Sequence, residues 1–253
     1  MMSLAVVAYR SPLDTKRAAV KLSQATGFLV RFEKRLFLIT NWHVLTGRNP
    51  VTGEVSGSAA LPEYLEVSFP ILLGGDLYWT AQRLDLYDRR TREALWFVHP
   101  YAPPMEGGTD VIALPIDSEP PMVYAYSLED ALDVRALTPG AEVSIVGYPF
   151  GVETEAPVWS RATVASEPRH GFKDDPMYLV DTRSRPGQSG SPVISPDSRL
   201  VRCGTGQEPD QKWSLAGIYS GRVDAELDLG RVWWPVVISE VLSSMHRDRL
   251  RFE

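Results

Sequence analysis

The chain has 253 residues, of which 44% are hydrophobic and 23% are charged, and its formal net charge is −6. This composition is typical of a globular protein and excludes a disordered one. The acidic balance provides no basic surface for nucleic acid or anionic lipid, so the sequence predicts neither a nucleic-acid nor a membrane partner.

The chain contains one cysteine, Cys203, which excludes an intrachain disulfide bond and a zinc site built on cysteines. No two of the four histidines have the spacing of a metal-binding motif, and no cofactor-binding motif occurs, so we expect neither a metal nor a cofactor. Residues 1–10 do not resemble a secretory signal, and no apolar run approaches the ~18 residues of a spanning helix. The sequence therefore predicts a cytoplasmic location.

Most apolar segments are short, rich in Val, Ile, Phe and Tyr, and bounded by Gly, Pro, Asp or Ser, which is the pattern of β-strands. In chain order, the predicted strands lie within residues 27–32, 35–44, 66–69, 95–98, 111–116, 143–147, 177–180, 192–194 and 215–219. Many short strands separated by turns indicate a barrel or a sandwich rather than alternating strands and helices.

Two segments carry helix signals. Ser127 followed by Asp130 resembles a capping box and predicts a short helix over residues 128–134. After Pro235, apolar residues recur at helical spacing and predict a helix that packs on the protein through one face. The apolar residues of that face are Ile238, Val241, Leu242 and Met245. Two adjacent prolines in residues 117–122 interrupt the strand pattern near mid-chain and indicate a domain boundary there.

Three segments hold residue types suited to catalysis. His43 ends the apolar segment LITNWHV, Asp110 precedes a predicted strand in TDVIAL, and Ser189 lies between glycines in RPGQSGSPV. Taken alone, each has an ordinary interpretation: a packed histidine, a strand-entry residue and a Gly/Ser-rich turn. A carboxylate buried beside a histidine fixes the imidazole tautomer and stabilises its cation, so the three together predict nucleophilic catalysis.

The serine segment is the most specific of the three. The backbone N–H groups of Gly187 and Ser189 can face one point and form an oxyanion hole. Such a loop often needs a residue with a positive φ angle, and glycine at position 187 can adopt one. The segment is not the G-x-S-x-G elbow of α/β-hydrolases, because Pro192 follows it and no helix pattern does.

The order His, Asp, Ser along the chain distinguishes this sequence from subtilisins and from α/β-hydrolases. With the TNWHV, TDVIAL and PGQSGSPV segments, the chain resembles the trypsin-like (chymotrypsin-fold) serine peptidases. It is most similar to their disulfide-free bacterial branches, which include the glutamyl endopeptidases and the high-temperature-requirement proteases. The resemblance implies an all-β fold of two packed antiparallel Greek-key β-barrels with a C-terminal helix. Residues 1–120 would carry His and Asp, and residues 121–253 would carry Ser and the helix.

The resemblance also implies a role for each residue. Ser189 would be the nucleophile, His43 the general base and then acid, and Asp110 the carboxylate that orients the imidazole. Gly187 and Ser189 would donate the oxyanion N–H groups. The implied function is a serine endopeptidase that hydrolyses a protein or peptide substrate through an acyl-enzyme intermediate.

The segment 215–222 resembles the strand on which this family binds extended substrate peptides. Tyr219, Ser220 and Gly221 would belong to that surface, and Ser220 matches the family serine that hydrogen-bonds the catalytic aspartate. An ordinary core strand explains the same pattern and is compatible with this interpretation.

Two arginines bear on specificity. Arg183 stands six residues before the nucleophile, the position that lies at the base of the primary specificity pocket in the family, and Arg222 ends the substrate strand. Both would favour an acidic side chain before the scissile bond through a charge-assisted pair. Tyr219 stands where glutamyl endopeptidases usually carry a histidine, which is a departure from their pattern.

Gln188 is a second departure. Secreted trypsin-like enzymes have an aspartate immediately before the nucleophile, where it pairs with a newly freed N-terminus. Gln188 implies a site that assembles without cleavage, so activity would depend on substrate access, loop ordering or a regulatory protein partner. Two alternatives to a free endopeptidase stay open: a protease subunit active only in a larger assembly, and a non-catalytic peptide-binding module on the same fold.

Overall fold

The structure is a computed structural model that describes residues 3–11, 18–55, 61–102, 104, 108–120, 122, 124–150, 156–196, 213–224 and 226–252. Cys203 lies outside the described residues. Among the described residues, none of the helices has the length and hydropathy needed to cross a membrane.

The first part of the chain forms a seven-stranded sheet. Its strands are β1 (Leu4–Arg10), β2 (Val20–Phe32), β3 (Arg35–Thr40), β4 (Tyr64–Leu73), β5 (Asp76–Asp85), β6 (Ile112–Ile116) and β7 (Ala125–Ser127). Six of them run antiparallel in the order β5-β4-β1-β2-β3-β6, and β7 pairs with β2 in parallel. The division of the chain at residue 120 stays a prediction.

The second part forms a closed antiparallel barrel. Its strands are β8 (Glu142–Gly147), β9 (Val158–Val164), β10 (Met177–Asp181), β11 (Pro192–Pro196), β12 (Trp213–Arg222) and β13 (Leu229–Trp233). They close in the order β10-β13-β12-β11-β8-β9, so the barrel has no open edge. The predicted all-β fold with two barrel-like units is confirmed.

Residues 25–30 of β2 and 36–40 of β3 are buried on both faces, which explains the nearly continuous apolar sequence of these stretches. Side chains alternate between faces along a strand. Leu36 and Leu38 therefore pack in the core of the first sheet, whereas Phe37 and Ile39 face a second core shared with the barrel. This shared core contains residues of both sheets, and it fixes the first sheet against the barrel.

The C-terminal helix is confirmed. Helix α2 (Pro235–Ser244) begins at the proline and buries Val237, Ile238, Val241 and Leu242 in the shared core. The predicted helix over 128–134 is wrong: only a single 3-10 turn forms, Val134–Ala136, with the Asp133 side chain accepting a hydrogen bond from the Arg135 N–H. The predicted strand through residue 44 is also too long, because the chain leaves β3 after Thr40 and forms a short helix α1 (Trp42–Thr46).

Candidate active site

His43 lies in α1, at the end of β3. Its backbone N–H donates to Asp110 Oδ1 at 3.0 Å, and the neighbouring Asn41 side-chain amide donates to the Asp110 carbonyl at 2.7 Å. On the other side, the Trp42 indole N–H donates to Asp248 Oδ2 at 2.7 Å. Residues 41–43 are therefore anchored at both flanks, which restricts where the imidazole can point.

Asp110 is buried, with 2% of its surface exposed, and its side chain accepts three hydrogen bonds. His43 Nδ1 lies 2.7 Å from Oδ2, and the Ser220 hydroxyl donates to the same oxygen at 2.5 Å. An ionised carboxylate can only accept, so this contact places the imidazole proton on Nδ1. The Nε2 atom of His43 is then free to accept a proton.

Ser189 is half-buried in the loop that precedes β11. A Cβ atom built on Gly221 would lie 3.9 Å from its hydroxyl oxygen, so the hydroxyl lies beside the end of β12, next to Ser220. Across the described residues, no hydrogen bond joins the Ser189 hydroxyl to His43. The structure thus brings His43, Asp110 and Ser220 into direct contact and places Ser189 next to the same strand end.

The carbonyl groups of residues 186–189 are all hydrogen-bonded to fixed partners. They accept from the Phe150 N–H (2.7 Å), the Thr26 hydroxyl (2.8 Å), the Ser191 N–H (3.0 Å) and the Thr26 N–H (2.9 Å), in chain order. In a trans peptide the C=O and N–H groups point in opposite directions. The N–H groups of Gly187 and Ser189 therefore point away from these partners, and neither donates to an acceptor in the described parts of the chain. They are available to a ligand oxygen.

Gly187 has φ +91°, a conformation that side-chain-bearing residues rarely adopt. A Cβ atom there would lie 2.5 Å from the Tyr148 carbonyl oxygen and 2.7 Å from the Phe150 nitrogen. Glycine is thus required at this position by the backbone angle and by the close approach of residues 148–150.

Gln188 is fully buried and hydrogen-bonded at both ends of its side chain. Its Nε2 donates to the Ser160 hydroxyl at 2.8 Å, and its Oε1 accepts from the Arg185 N–H at 3.1 Å. These contacts hold the residue before Ser189 without any chain terminus. They support the interpretation that the loop needs no cleavage to assemble.

The end of β12 extends beyond its partner β11. The pairing of β12 with β11 stops at Ile218, and its register with β13 is interrupted between Tyr219 and Arg222. Ser220 and Gly221 lie in that interruption, and on the β11 side they pair with no described strand. This strand end lies beside the Ser189 hydroxyl.

Tyr219 lies next to two arginines of the barrel, Arg222 on its own strand and Arg231 on β13. Tyr219 is fully buried, and burial raises the pKa of its hydroxyl. The Arg231 guanidinium donates to the Ser220 carbonyl at 3.3 Å, and its buried Nε has no partner in the described chain. Arg183 is exposed and forms no ion pair with a described residue.

Sequence reasoning missed Arg231. No local motif marks this residue; it lies near the end of β12 only because β13 pairs with β12. Only the residue pairing between the two strands could have placed it there.

The described residues contain no group of His, Cys, Asp or Glu side chains placed to bind a metal ion. The absence of a cofactor stays a prediction.

The comparisons with known proteins agree with this fold. The structure resembles that of the Rv3671c protease from M. tuberculosis in its active form, with a TM-score of 0.51 and 15% identity over 100% of this chain and 83% of the other. Two further structures of that protease have lower scores: a serine-to-alanine mutant in an inactive form (0.48, 17% identity, covering 94% and 85%) and another inactive form (0.45, 16%, covering 96% and 88%). No curated protein matches the sequence.

The family model of the trypsin-like peptidase domain matches residues 25–201, which is more than half of the chain. The matched segment includes all three sequence motifs that suggested the resemblance. The finer similarity to glutamyl endopeptidases stays a prediction. The chain belongs to the trypsin-like peptidase family.

Proposed function

We propose that the protein is a serine endopeptidase in which Ser189, His43 and Asp110 form the catalytic triad. The observation that carries the proposal is the contact of His43 Nδ1 with the buried Asp110 carboxylate, which leaves Nε2 as a proton acceptor. In the free protein, the Ser189 hydroxyl forms no hydrogen bond with His43 Nε2. Such contacts often tighten only when substrate is bound.

In the first half-reaction, the Ser189 oxygen attacks the carbonyl carbon of the scissile bond, and its proton moves to His43 Nε2. The Asp110 carboxylate stabilises the imidazolium that forms, and the N–H groups of Gly187 and Ser189 stabilise the oxyanion. His43 then gives its proton to the leaving amine as the C–N bond breaks. In the second half, water attacks the resulting ester with His43 as base, which releases the carboxylic acid and restores the serine.

A serine-directed fluorophosphonate probe tests this proposal. We expect the purified wild-type protein to be labelled and the Ser189→Ala variant not to be labelled, because the probe reacts only with an activated serine oxygen. The Ser195→Ala variant, which removes a hydroxyl from β11 six positions after Ser189, is the matched control and should label as the wild type does. Tandem mass spectrometry of a proteolytic digest identifies the modified residue.

The two alternatives give different results in the same experiment. A folded wild-type protein that never reacts would favour the peptide-binding module. Labelling in cell extract that disappears on purification would favour a subunit that needs a larger assembly or a regulatory partner. The hydrogen-bonded carbonyls of residues 186–189 keep the oxyanion donors unoccupied, and this favours the active peptidase over the binding module.

For substrate preference, we propose an acidic side chain before the scissile bond, bound through Arg183, Arg222 and Arg231. Arg222 ends β12, and the Arg231 guanidinium donates to the Ser220 carbonyl at 3.3 Å, so both arginines lie at the strand end that adjoins Ser189. A carboxylate on the substrate would form charge-assisted hydrogen bonds with such a group.

We expect the wild type to cleave peptides after Glu or Asp, and the Arg231→Gln and Arg222→Gln variants to lose about ten-fold or more in kcat/KM on a Glu peptide. The same variants should change little on the matched Gln peptide, since only the carboxylate uses the charge. Arg249→Gln, at an exposed position of the C-terminal tail, removes one charge and is the control. A profile with Lys, Arg or large apolar residues before the cleaved bond, or an equal loss on both peptides, would contradict the proposed preference.

A further inference from the structure

We propose that Thr26 is a positioning residue for the oxyanion hole, an inference that rests on the proposed peptidase function. Thr26 lies in β2, in the first sheet, yet three of its hydrogen bonds reach Tyr148, Gly187 and Ser189, in the loops next to the barrel strands β8 and β11. It is fully buried. No sequence motif marks it, because these three partners lie more than 120 positions away.

The Thr26 hydroxyl has two partners that both act on Gly187. It donates to the Gly187 carbonyl at 2.8 Å and accepts from the Tyr148 N–H at 2.9 Å. The first contact fixes the peptide that follows the Gly187 N–H donor. The second holds the segment 148–150, in which the Phe150 N–H binds the Pro186 carbonyl and so orients the peptide that carries this donor.

The Thr26 backbone holds the other end of the loop. Its N–H donates to the Ser189 carbonyl at 2.9 Å, and its own carbonyl accepts from the Thr40 hydroxyl at 2.8 Å. One residue therefore binds the carbonyls of both residues that carry the oxyanion donors. Through Thr40 it also ties them to β3, the strand that leads to His43. Without the hydroxyl, Gly187 would lose one restraint directly and one through Tyr148.

The geometry predicts a specific kinetic effect. Oxyanion donors act on the charge that develops in the transition state, so loosening them lowers kcat with little change in ground-state binding. Thr26→Val keeps the shape of the side chain but removes the hydroxyl, whereas Thr26→Ser keeps the hydroxyl. We expect about ten-fold lower kcat for Thr26→Val and nearly wild-type kcat for Thr26→Ser.

The matched control is Thr46→Val. Thr46 is equally buried, and its hydroxyl also donates to one carbonyl, that of Trp42 at 3.0 Å, and accepts from one N–H, that of Arg48 at 3.3 Å. The two Val variants should lose similar thermal stability, because each removes the same group from a buried site. Only Thr26→Val should bind a peptide aldehyde less tightly, since the aldehyde adduct places an oxyanion in the hole.

The measurements are kcat and KM on one peptide substrate, the inhibition constant of the matching peptide aldehyde, and the unfolding temperature. If Thr26→Val does not fold, the smaller Thr26→Ala variant provides the same comparison at lower temperature. The inference is overturned if kcat and aldehyde affinity stay within three-fold of wild type, or if Thr46→Val lowers them equally. A wild type that neither hydrolyses peptide nor reacts with fluorophosphonate would instead refute the proposed function.

Discussion

The Asp110→Asn variant is expected to retain its fold and to lose about 10⁴-fold in kcat, the effect of the equivalent change in a serine protease with the same triad. The wild-type carboxylate accepts from His43 on both oxygens and from Ser220 on one. An amide has one accepting and one donating end, so it cannot reproduce all three contacts.

The new amide has two possible orientations. In one, its NH₂ group faces the backbone N–H of His43, and two donors cannot form a hydrogen bond with each other. The other points NH₂ at His43 Nδ1 and at the Ser220 hydroxyl, which can rotate to accept. We expect the second orientation. With NH₂ facing Nδ1, the imidazole must carry its proton on Nε2. Nε2 can then no longer take the proton of Ser189.

The comparison variant is Ser220→Ala, which removes one hydrogen bond from Asp110 but leaves the imidazole tautomer unchanged. We expect about a ten-fold loss for this variant. Steady-state kinetics on a peptide substrate, with circular dichroism to verify folding, measures both. An Asp110→Asn enzyme within ten-fold of wild type, or equal losses in the two variants, would show that the tautomer argument is wrong.

The sequence was sufficient to predict elements with strong local patterns. Helix α2 has its apolar residues at helical spacing and begins at a proline, and both features are local. The chain order of His43, Asp110 and Ser189 indicated that these residues share one site. In the structure, His43 Nδ1 lies 2.7 Å from Asp110 Oδ2.

Other elements depend on distant partners and were missed. Strand β5 is mostly exposed, so it lacks alternating hydrophobicity, and it forms because it pairs with β4 as a hairpin. Helix α1 continues an apolar run whose Trp42, Val44 and Leu45 are all buried, and a short buried run does not distinguish strand from helix. The side chains of Thr26 and Arg231 contact residues of other strands and loops, for which the sequence has no local signal.

Replacing Gly187 with alanine is expected to lower kcat about 10²- to 10³-fold, the loss measured when one oxyanion donor is removed from other enzymes. The new Cβ would lie 2.5 Å from the Tyr148 carbonyl oxygen and 2.7 Å from the Phe150 nitrogen, and these are backbone atoms that do not move easily. The loop would have to shift, which breaks the Phe150 to Pro186 hydrogen bond and turns the Gly187 N–H away from the oxyanion.

A second glycine separates this collision from simple backbone strain. Gly140 has φ +86°, close to the +91° of Gly187, but a Cβ atom built on it meets nothing within 4 Å. Gly140→Ala should therefore lose stability from the unfavourable angle while its kcat stays near wild type. Gly187→Ala should lose kcat and aldehyde affinity with a KM close to wild type, because the donor acts mainly in the transition state. If both alanine variants lose kcat to the same extent, the backbone angle alone explains the effect, and the N–H of Gly187 does not stabilise the oxyanion.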